Sequence, residues 1–203
     1  MGVADSYRRI EAWFQRRGIA LGFANGVDDA ALDAAEKRLG FVLPADVRAW
    51  FKVHDGQSVD HFEGPDGPRI LFTNMRFHSL EEMLREWEST DHNEEFFDHV
   101  YADDTIRGAL FHPKRLPFAS QEGSTWLYVD LVPGPKGTEG QVLFNTTEVD
   151  MALVGTSVGN FLERYADALD AGTITLVDWD GRKAMVDPKN PDSDGYEPFV
   201  LAE

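Results

Sequence analysis

Hydrophobic residues recur every three to four positions in several stretches of the chain, the spacing that places them on one face of an α-helix. This spacing predicts five helices, over residues 4–17, 28–39, 44–55, 79–87 and 157–169. Ser79 followed by Glu82 is the pattern of a capping box, and Pro44 suits the first turn of a helix. Local signals therefore define both the helical stretches and several of their ends.

A second pattern, strict alternation of apolar and polar residues, predicts strands in the middle of the chain. Residues 125–131 place Leu127, Val129 and Leu131 on one face, and Trp126, Tyr128 and Asp130 on the other. A loop over 133–140 joins this strand to a partner over 141–147, and so short a connection predicts antiparallel pairing. Further short strands are predicted at 70–72, 116–118 and 174–179.

The order of these elements indicates the fold class. Helices come first, strands dominate the middle, and a helix over 157–169 follows them. Alternating βα units, which would indicate a parallel sheet, are not found. We therefore expect an α+β fold in which a mostly antiparallel sheet is flanked by helices.

Charge changes the picture of possible partners. The chain has 203 residues, with 19 Lys and Arg against 36 Asp and Glu, and a formal net charge of −17. Such a surface repels phosphate backbones and anionic lipids, so we expect no nucleic-acid partner and no membrane partner. It attracts basic protein surfaces. There is no cysteine and no signal-peptide pattern, so we expect a cytoplasmic location.

No recognisable catalytic motif stands out from the sequence. HExxH and GxSxG are both lacking, and the glycines of 134–140 do not have the spacing that holds a phosphate. His92 and His99 lie seven residues apart among acids, which leaves a metal-dependent enzyme as a third hypothesis. A solvated acidic helix face explains them more simply. We expect no enzyme activity, no cofactor and no metal.

The acidic residues are concentrated in one segment. Residues 81–104 hold ten Asp and Glu and a single base, Arg85, which amounts to a charge of −9. A solvated face is the usual meaning of such a run, but aromatic neighbours also make it a candidate docking patch. The predicted partner-binding residues of this patch are Glu94, Glu95, Asp98, Asp103 and Asp104.

A second candidate is the polar face of the strand over 125–131. Its members Trp126, Tyr128 and Asp130 place a carboxylate beside two aromatic rings. Such a carboxylate lies either at the rim of a groove or inside the protein with partners of its own. Both placements stay open at this stage, and all three residues are predicted to bind a partner.

The stretch over residues 31–56, ALDAAEKRLGFVLPADVRAWFKVHDG, resembles the signature of the SMI1/KNR4 family of the SUKH superfamily. The resemblance is carried by Glu36, Leu39-Gly40, Leu43-Pro44, Asp46, Arg48, Trp50-Phe51 and the closing His54-Asp55-Gly56. The family often has Asn before that last glycine, and Asp tolerates the same turn. Later segments around residues 79, 116, 126, 140 and 157 agree in order.

The resemblance implies an α+β fold without a known catalytic site. It covers about residues 28–170 of a single domain over 1–203, with a helix and loop over 1–27 and an extension over 171–203. Many bacterial members look like immunity proteins that neutralise toxins by direct binding, and fungal members are regulators of cell-wall synthesis. We therefore expect an immunity protein whose partner is a basic toxin domain. A regulatory or scaffold module that binds a housekeeping protein is the alternative.

Overall fold

Five α-helices form where the apolar spacing predicts them. The computed structural model describes residues 2–58, 74–90, 104–107, 112–121, 125–146, 150–179, 182–191 and 197–201. Within these ranges the helices are α1 (Val3–Gln15), α2 (Asp29–Leu39), α3 (Ala45–Val53), α4 (Leu80–Ser89) and α5 (Val158–Ala171). No helix of this part of the chain is both long and apolar enough to span a bilayer.

Side-chain caps set several helix ends. At α4 the Ser79 side chain accepts a hydrogen bond from the Glu82 backbone, and the Glu82 carboxylate accepts one from the Ser79 backbone at 2.8 Å. Asp28 caps α2 in the same way through the Ala31 backbone N–H, at 2.9 Å. Gly40 ends α2 with a φ of 79°, a conformation that glycine adopts without strain. These contacts confirm the predicted caps.

In the described ranges, nine strands build three antiparallel sheets. They are β1 (Phe23–Asn25), β2 (His54–Gln57), β3 (Arg76–Phe77), β4 (Arg115–Gln121), β5 (Thr125–Asp130), β6 (Gln141–Thr146), β7 (Asp150–Gly155), β8 (Thr175–Trp179) and β9 (Arg182–Val186). The main sheet has the order β3–β4–β5–β6–β7, and β1–β2 and β8–β9 form two small sheets. A 3₁₀ turn follows at Glu197–Phe199. The predicted α+β class is confirmed.

The end of the third helix differs from the prediction for a physical reason. The third helix ends at Val53, and the following residues form β2 instead of a last helical turn. Gly56 has a φ of 73°, and a Cβ on it would lie 2.3 Å from the Ser79 backbone nitrogen. Asp55 accepts a hydrogen bond from the Leu80 backbone at 2.7 Å. The chain thus passes close to the start of α4, and only glycine fits there.

The inner face of the main sheet packs against the helices and forms the principal core. Its largest members include Tyr7, Phe14, Trp50, Phe51, Phe118, Phe144, Phe161 and Tyr165. Both ends of the chain contribute to it. The Trp13 ring nitrogen donates to the Leu169 carbonyl at 2.8 Å, which joins α1 to α5. Met185 and Phe199, from the C-terminal extension, are buried in the same core.

The outer face of the main sheet carries a second, smaller apolar cluster. Ile106, Tyr128, Leu143 and Met151 are buried there, and Trp126 and Leu153 pack against them while partly exposed. The outer face therefore combines a buried centre with two partly exposed apolar side chains beside it.

Candidate partner-binding surface

The segment that resembles the family signature holds the fold together. Glu36 accepts a hydrogen bond from the Leu43 backbone at 2.9 Å and pairs with Arg48 at 2.8 Å. Asp46 accepts one from the Gly159 backbone at 3.0 Å, which ties the start of α3 to the start of α5. These contacts all lie within the chain. The segment therefore stabilises the fold, and its matching residues are not free to form a binding surface.

Asp130 takes the buried one of its two predicted placements. Its side chain and that of Arg115 are both fully buried, with 3.1 Å between Arg115 Nε and Asp130 Oδ1. The Gln141 amide donates to the other carboxylate oxygen at 3.0 Å, and the Val132 backbone donates to Oδ1 at 3.1 Å. Asp130 is thus satisfied inside the protein, where a partner does not reach it.

Asp130 and Asp104 belong to one assembly that holds residues 104–107 against the loop between β5 and β6. The Gln141 amide donates both to Asp130 and to the Thr105 carbonyl, each at 3.0 Å. The Lys136 backbone donates to the Asp104 carbonyl at 2.9 Å, and its ammonium lies 3.1 Å from the Asp104 carboxylate. The Asp104 carboxylate is therefore already paired with a lysine of the same chain.

Trp126 and Tyr128 do lie together, as the alternation predicts. Their rings are 6.3 Å apart and nearly parallel, and His78 meets the Trp126 ring edge-on at 5.9 Å. Tyr128 is buried, and burial is the main reason why the pKa of its hydroxyl is raised, with the nearby Glu86 carboxylate adding to the effect. Trp126 is partly exposed.

The acids of α4 are largely neutralised by bases from elsewhere in the fold. Arg38 of α2 reaches Glu81 at 2.6 Å and Glu88 at 3.0 Å, and this hydrogen bond lowers the pKa of Glu81. Arg76 pairs with Glu82 at 2.8 Å. For Glu86 the described part of the chain shows no ion pair. Bases from other elements therefore offset much of the negative charge of this helix.

Several predicted residues lie outside the described residues. They are Glu94, Glu95, Asp98 and Asp103 of the acidic patch, His92 and His99 of the metal hypothesis, and the strand over 70–72. Within the ranges that the structure covers, no group of three or more His, Asp or Glu side chains is arranged to hold a metal ion.

Among the described residues, the partly exposed arrangement that remains lies on the outer face of the central strand β5, where His78, just before α4, meets the Trp126 ring. We call Glu86, Trp126 and Tyr128 the aromatic–acid surface. A partly exposed tryptophan beside a tyrosine is typical of a protein-binding hot spot. The Glu86 carboxylate acts electrostatically on the Tyr128 hydroxyl and adds a negative charge to this surface. The sequence indicated the two aromatic residues. The sequence did not single out Glu86, because the position of Glu86 relative to Tyr128 depends on how α4 packs.

Comparison with known proteins places this geometry in context. A sequence model of the SMI1 / KNR4 family (SUKH-1) matches residues 26–164. The Neurospora crassa protein named "Glucan synthesis regulatory protein" is 28% identical over 84% of this chain and 39% of its own length. The Schizosaccharomyces pombe "Cell wall biosynthesis/cell cycle regulator smi1" is 28% identical over 88% of this chain and 38% of its own.

A third relative, the Saccharomyces cerevisiae "Cell wall assembly regulator SMI1", is 26% identical over 87% of this chain and 43% of its own length. The chain thus spans about two fifths of the length of the curated relatives that it matches. The activity of each whole relative therefore also involves segments that this chain does not match.

Proposed function

We propose that this chain, which belongs to the SMI1 / KNR4 family (SUKH-1), is a non-enzymatic regulatory domain that acts by binding a protein partner. The observation that carries the proposal is that relatives aligned over 84–88% of the chain are named as regulators. A shared fold alone is only an analogy for function. Relatives that align with most of the chain and are named as regulators support a regulatory function more directly.

These relatives favour the regulatory alternative over the immunity protein that the resemblance first led us to expect. Their names concern cell-wall assembly and glucan synthesis. Nothing in the names supports a toxin as the partner or neutralisation as the mechanism. We accordingly propose that the chain regulates a protein partner by binding to it.

The aromatic–acid surface is our candidate for the contact. Burying the exposed part of Trp126 would remove apolar area from water, and Tyr128 and His78 hold the ring in place so that little side-chain entropy is lost. Glu86 favours a partner with a Lys or Arg opposite it. The acids Glu94, Glu95, Asp98 and Asp103 stay predicted partner-binding residues of a separate acidic patch.

The test uses a chimera in which this chain replaces the aligned segment of the S. cerevisiae relative, expressed in cells that lack that protein. Resistance to a wall-disrupting dye is the readout. We expect rescue by the chimera, and loss of rescue when it carries Trp126→Ala with Glu86→Lys. Val42→Ala is the matched control, because Val42 is 75% exposed on the connection between α2 and α3.

A binding measurement completes the test. Truncating a hot-spot tryptophan costs about 2 kcal/mol or more, so captured partner should be held roughly 30-fold more weakly by Trp126→Ala. A stable, folded chimera that fails to rescue would count against the regulatory function. Rescue and capture that survive the double substitution would remove the aromatic–acid surface from the proposal.

A further inference from the structure

Two adjoining cavities lie along the exposed side of α1, which packs on the opposite face of the main sheet from the aromatic–acid surface. The first has a volume of about 670 Å³ and lies between α1 and residues 18–23. The second, of about 500 Å³, lies on the other flank of the helix, beside Asp170 of α5. Arg8 and Ala12 line both cavities, so the cavities meet at this part of α1.

The first cavity forms because the chain turns back along α1. The Ile19 backbone donates to the Phe14 carbonyl at 3.1 Å, and the rings of Tyr7 and Phe23 lie 5.3 Å apart. Residues 19–23 therefore run antiparallel to the helix. Their apolar members at the cavity are Ile19, Leu21 and Phe23. The cavity thus has a polar wall on α1 and an apolar wall opposite.

Two arginines flank Ala12 on the surface of the helix. Arg8 and Arg16 lie four residues before and after it, which places each about 6 Å away along the helix axis and on the same face. Their side chains are 72% and 61% exposed. Since Ala12 carries only a methyl group, a chain that crosses α1 here passes between two guanidinium groups. We call Arg8, Ala12 and Arg16 the arginine gap.

Both arginines can take a further carboxylate. Arg8 pairs with Asp5 one turn earlier on the same helix. Arg16 lies 3.8 Å from Asp170, which Arg9 already engages at 2.7 Å. A guanidinium has several N–H donors, so a second carboxylate can bind beside the first. Exposed ion pairs also contribute little, so displacing one of them costs little.

We propose that the arginine gap binds a short extended segment of the protein partner, in which two successive acidic residues follow or precede an apolar residue. Successive side chains of an extended chain point to opposite sides, so one carboxylate meets Arg8 and the next meets Arg16. The apolar residue enters the first cavity against Ile19 and Phe23. This proposal rests on the protein-binding function proposed above and assigns that function a second contact, opposite in charge to the first.

The surrounding charges restrict what the segment can be. The chain as a whole carries a formal charge of −17 and repels a long acidic segment. Attraction to two arginines acts locally, since screening limits it to about 8 Å at physiological salt. Glu11 also lines the first cavity, where it would repel a third acid. These charges favour a short segment with its acids confined to the gap and an apolar side chain in the cavity.

The experiment measures binding of a fluorescently labelled peptide, GLDELG, to the full chain by fluorescence polarisation. A leucine on each side of the acids allows either direction across the helix. We expect Arg8→Gln and Arg16→Gln each to weaken binding about threefold, and the double variant about tenfold. Ala12→Gln fills the gap without a change of charge and should weaken binding about tenfold. The neutral peptide GLNQLG should bind as weakly as GLDELG binds to the double variant.

Arg17→Gln is the matched control, because it removes the same charge from the neighbouring position. The Arg17 guanidinium lies over the Trp13 ring, 3.4 Å from its centroid, and donates to the Trp13 carbonyl at 2.9 Å. This variant should bind GLDELG like the unaltered chain. Circular dichroism checks that all variants are folded, which we expect because Arg8 and Arg16 are mainly exposed.

Several results would overturn the proposal. They are an equal loss in Arg17→Gln, equal affinity for GLNQLG, and no binding of GLDELG to the unaltered chain. A dimer of the unaltered chain that Arg16→Gln abolishes would identify a second copy of the chain as the occupant, which also overturns it. Because this readout uses a peptide and the isolated chain, it fails or succeeds independently of the rescue by the chimera.

Discussion

Removing the charge of Asp130 is expected to destabilise the protein strongly although the change is nearly isosteric. In Asp130→Asn, the Arg115 guanidinium stays fully buried but loses the carboxylate charge that lies 3.1 Å away. The new amide group also meets the Gln141 amide, which donates to the carboxylate at 3.0 Å, so two donors face each other.

The magnitude follows from this burial. Breaking a buried ion pair by removing one partner costs about 3–5 kcal/mol, because the remaining buried charge loses an attraction that offset its desolvation. For a chain of this length that corresponds to a fall in Tm of roughly 10 °C. Urea unfolding should show a lower midpoint with an unchanged slope, since both chains expose the same surface when they unfold.

Asp104→Asn is the matched control. The Asp104–Lys136 pair is about half to two-thirds exposed, and exposed ion pairs contribute under about 1 kcal/mol. A double-mutant cycle with Arg115→Met should show a coupling of about 2 kcal/mol between positions 115 and 130. If Asp130→Asn costs as little as Asp104→Asn, or the cycle shows no coupling, the reasoning from burial is wrong.

Three further predictions concern the backbone, a cap and pH. Gly56→Ala should cost at least about 3 kcal/mol in urea unfolding, because the new Cβ would meet the Ser79 backbone, whereas Gly18→Ala, with a similar φ and open space around it, should cost about 1–2 kcal/mol. Ser79→Ala should cost about 1 kcal/mol through loss of the capping box, and a restored stability in Ser79→Asp would confirm the cause. Burial lowers the pKa of His78 from 6.5 to about 4, so the unfolded chain takes up a proton first as pH falls. The unaltered chain should therefore lose about 2 kcal/mol between pH 7 and pH 5 beyond what His78→Gln loses, and equal losses in the two would refute this assignment.

Local signals predicted those parts of the fold whose causes are local. The capping box at Ser79 and Glu82 and the hairpin of β5 and β6 depend on residues close in sequence, and they form as expected. Strand β7 was missed because it faces two apolar layers: Val154 packs in the principal core and Met151 in the outer cluster. A strand buried on both faces has no alternation to detect.

The candidate site depended more on contacts between distant segments. Asp130 is buried because the register of β4 against β5 places Arg115 directly opposite it. Two acids of α4, Glu81 and Glu88, are paired because Arg38, on α2, lies against them. Sequence spacing predicts neither pairing, since both depend on how separate elements pack. It did predict that Trp126 and Tyr128 share a face, because that follows from the alternation within one strand.

The contact between α1 and α5 also affects how the chain folds during synthesis. Trp13 bonds to Leu169, and Arg9 pairs with Asp167 and Asp170, each at 2.7 Å. The ribosome makes α1 long before α5, so the apolar side of α1 emerges without its final neighbour. Contacts over such a separation close slowly and at an entropic cost. The newly made N-terminal helix is therefore a natural substrate for chaperones, and a ribosome-bound chain should reach protease resistance only after α5 has left the exit tunnel.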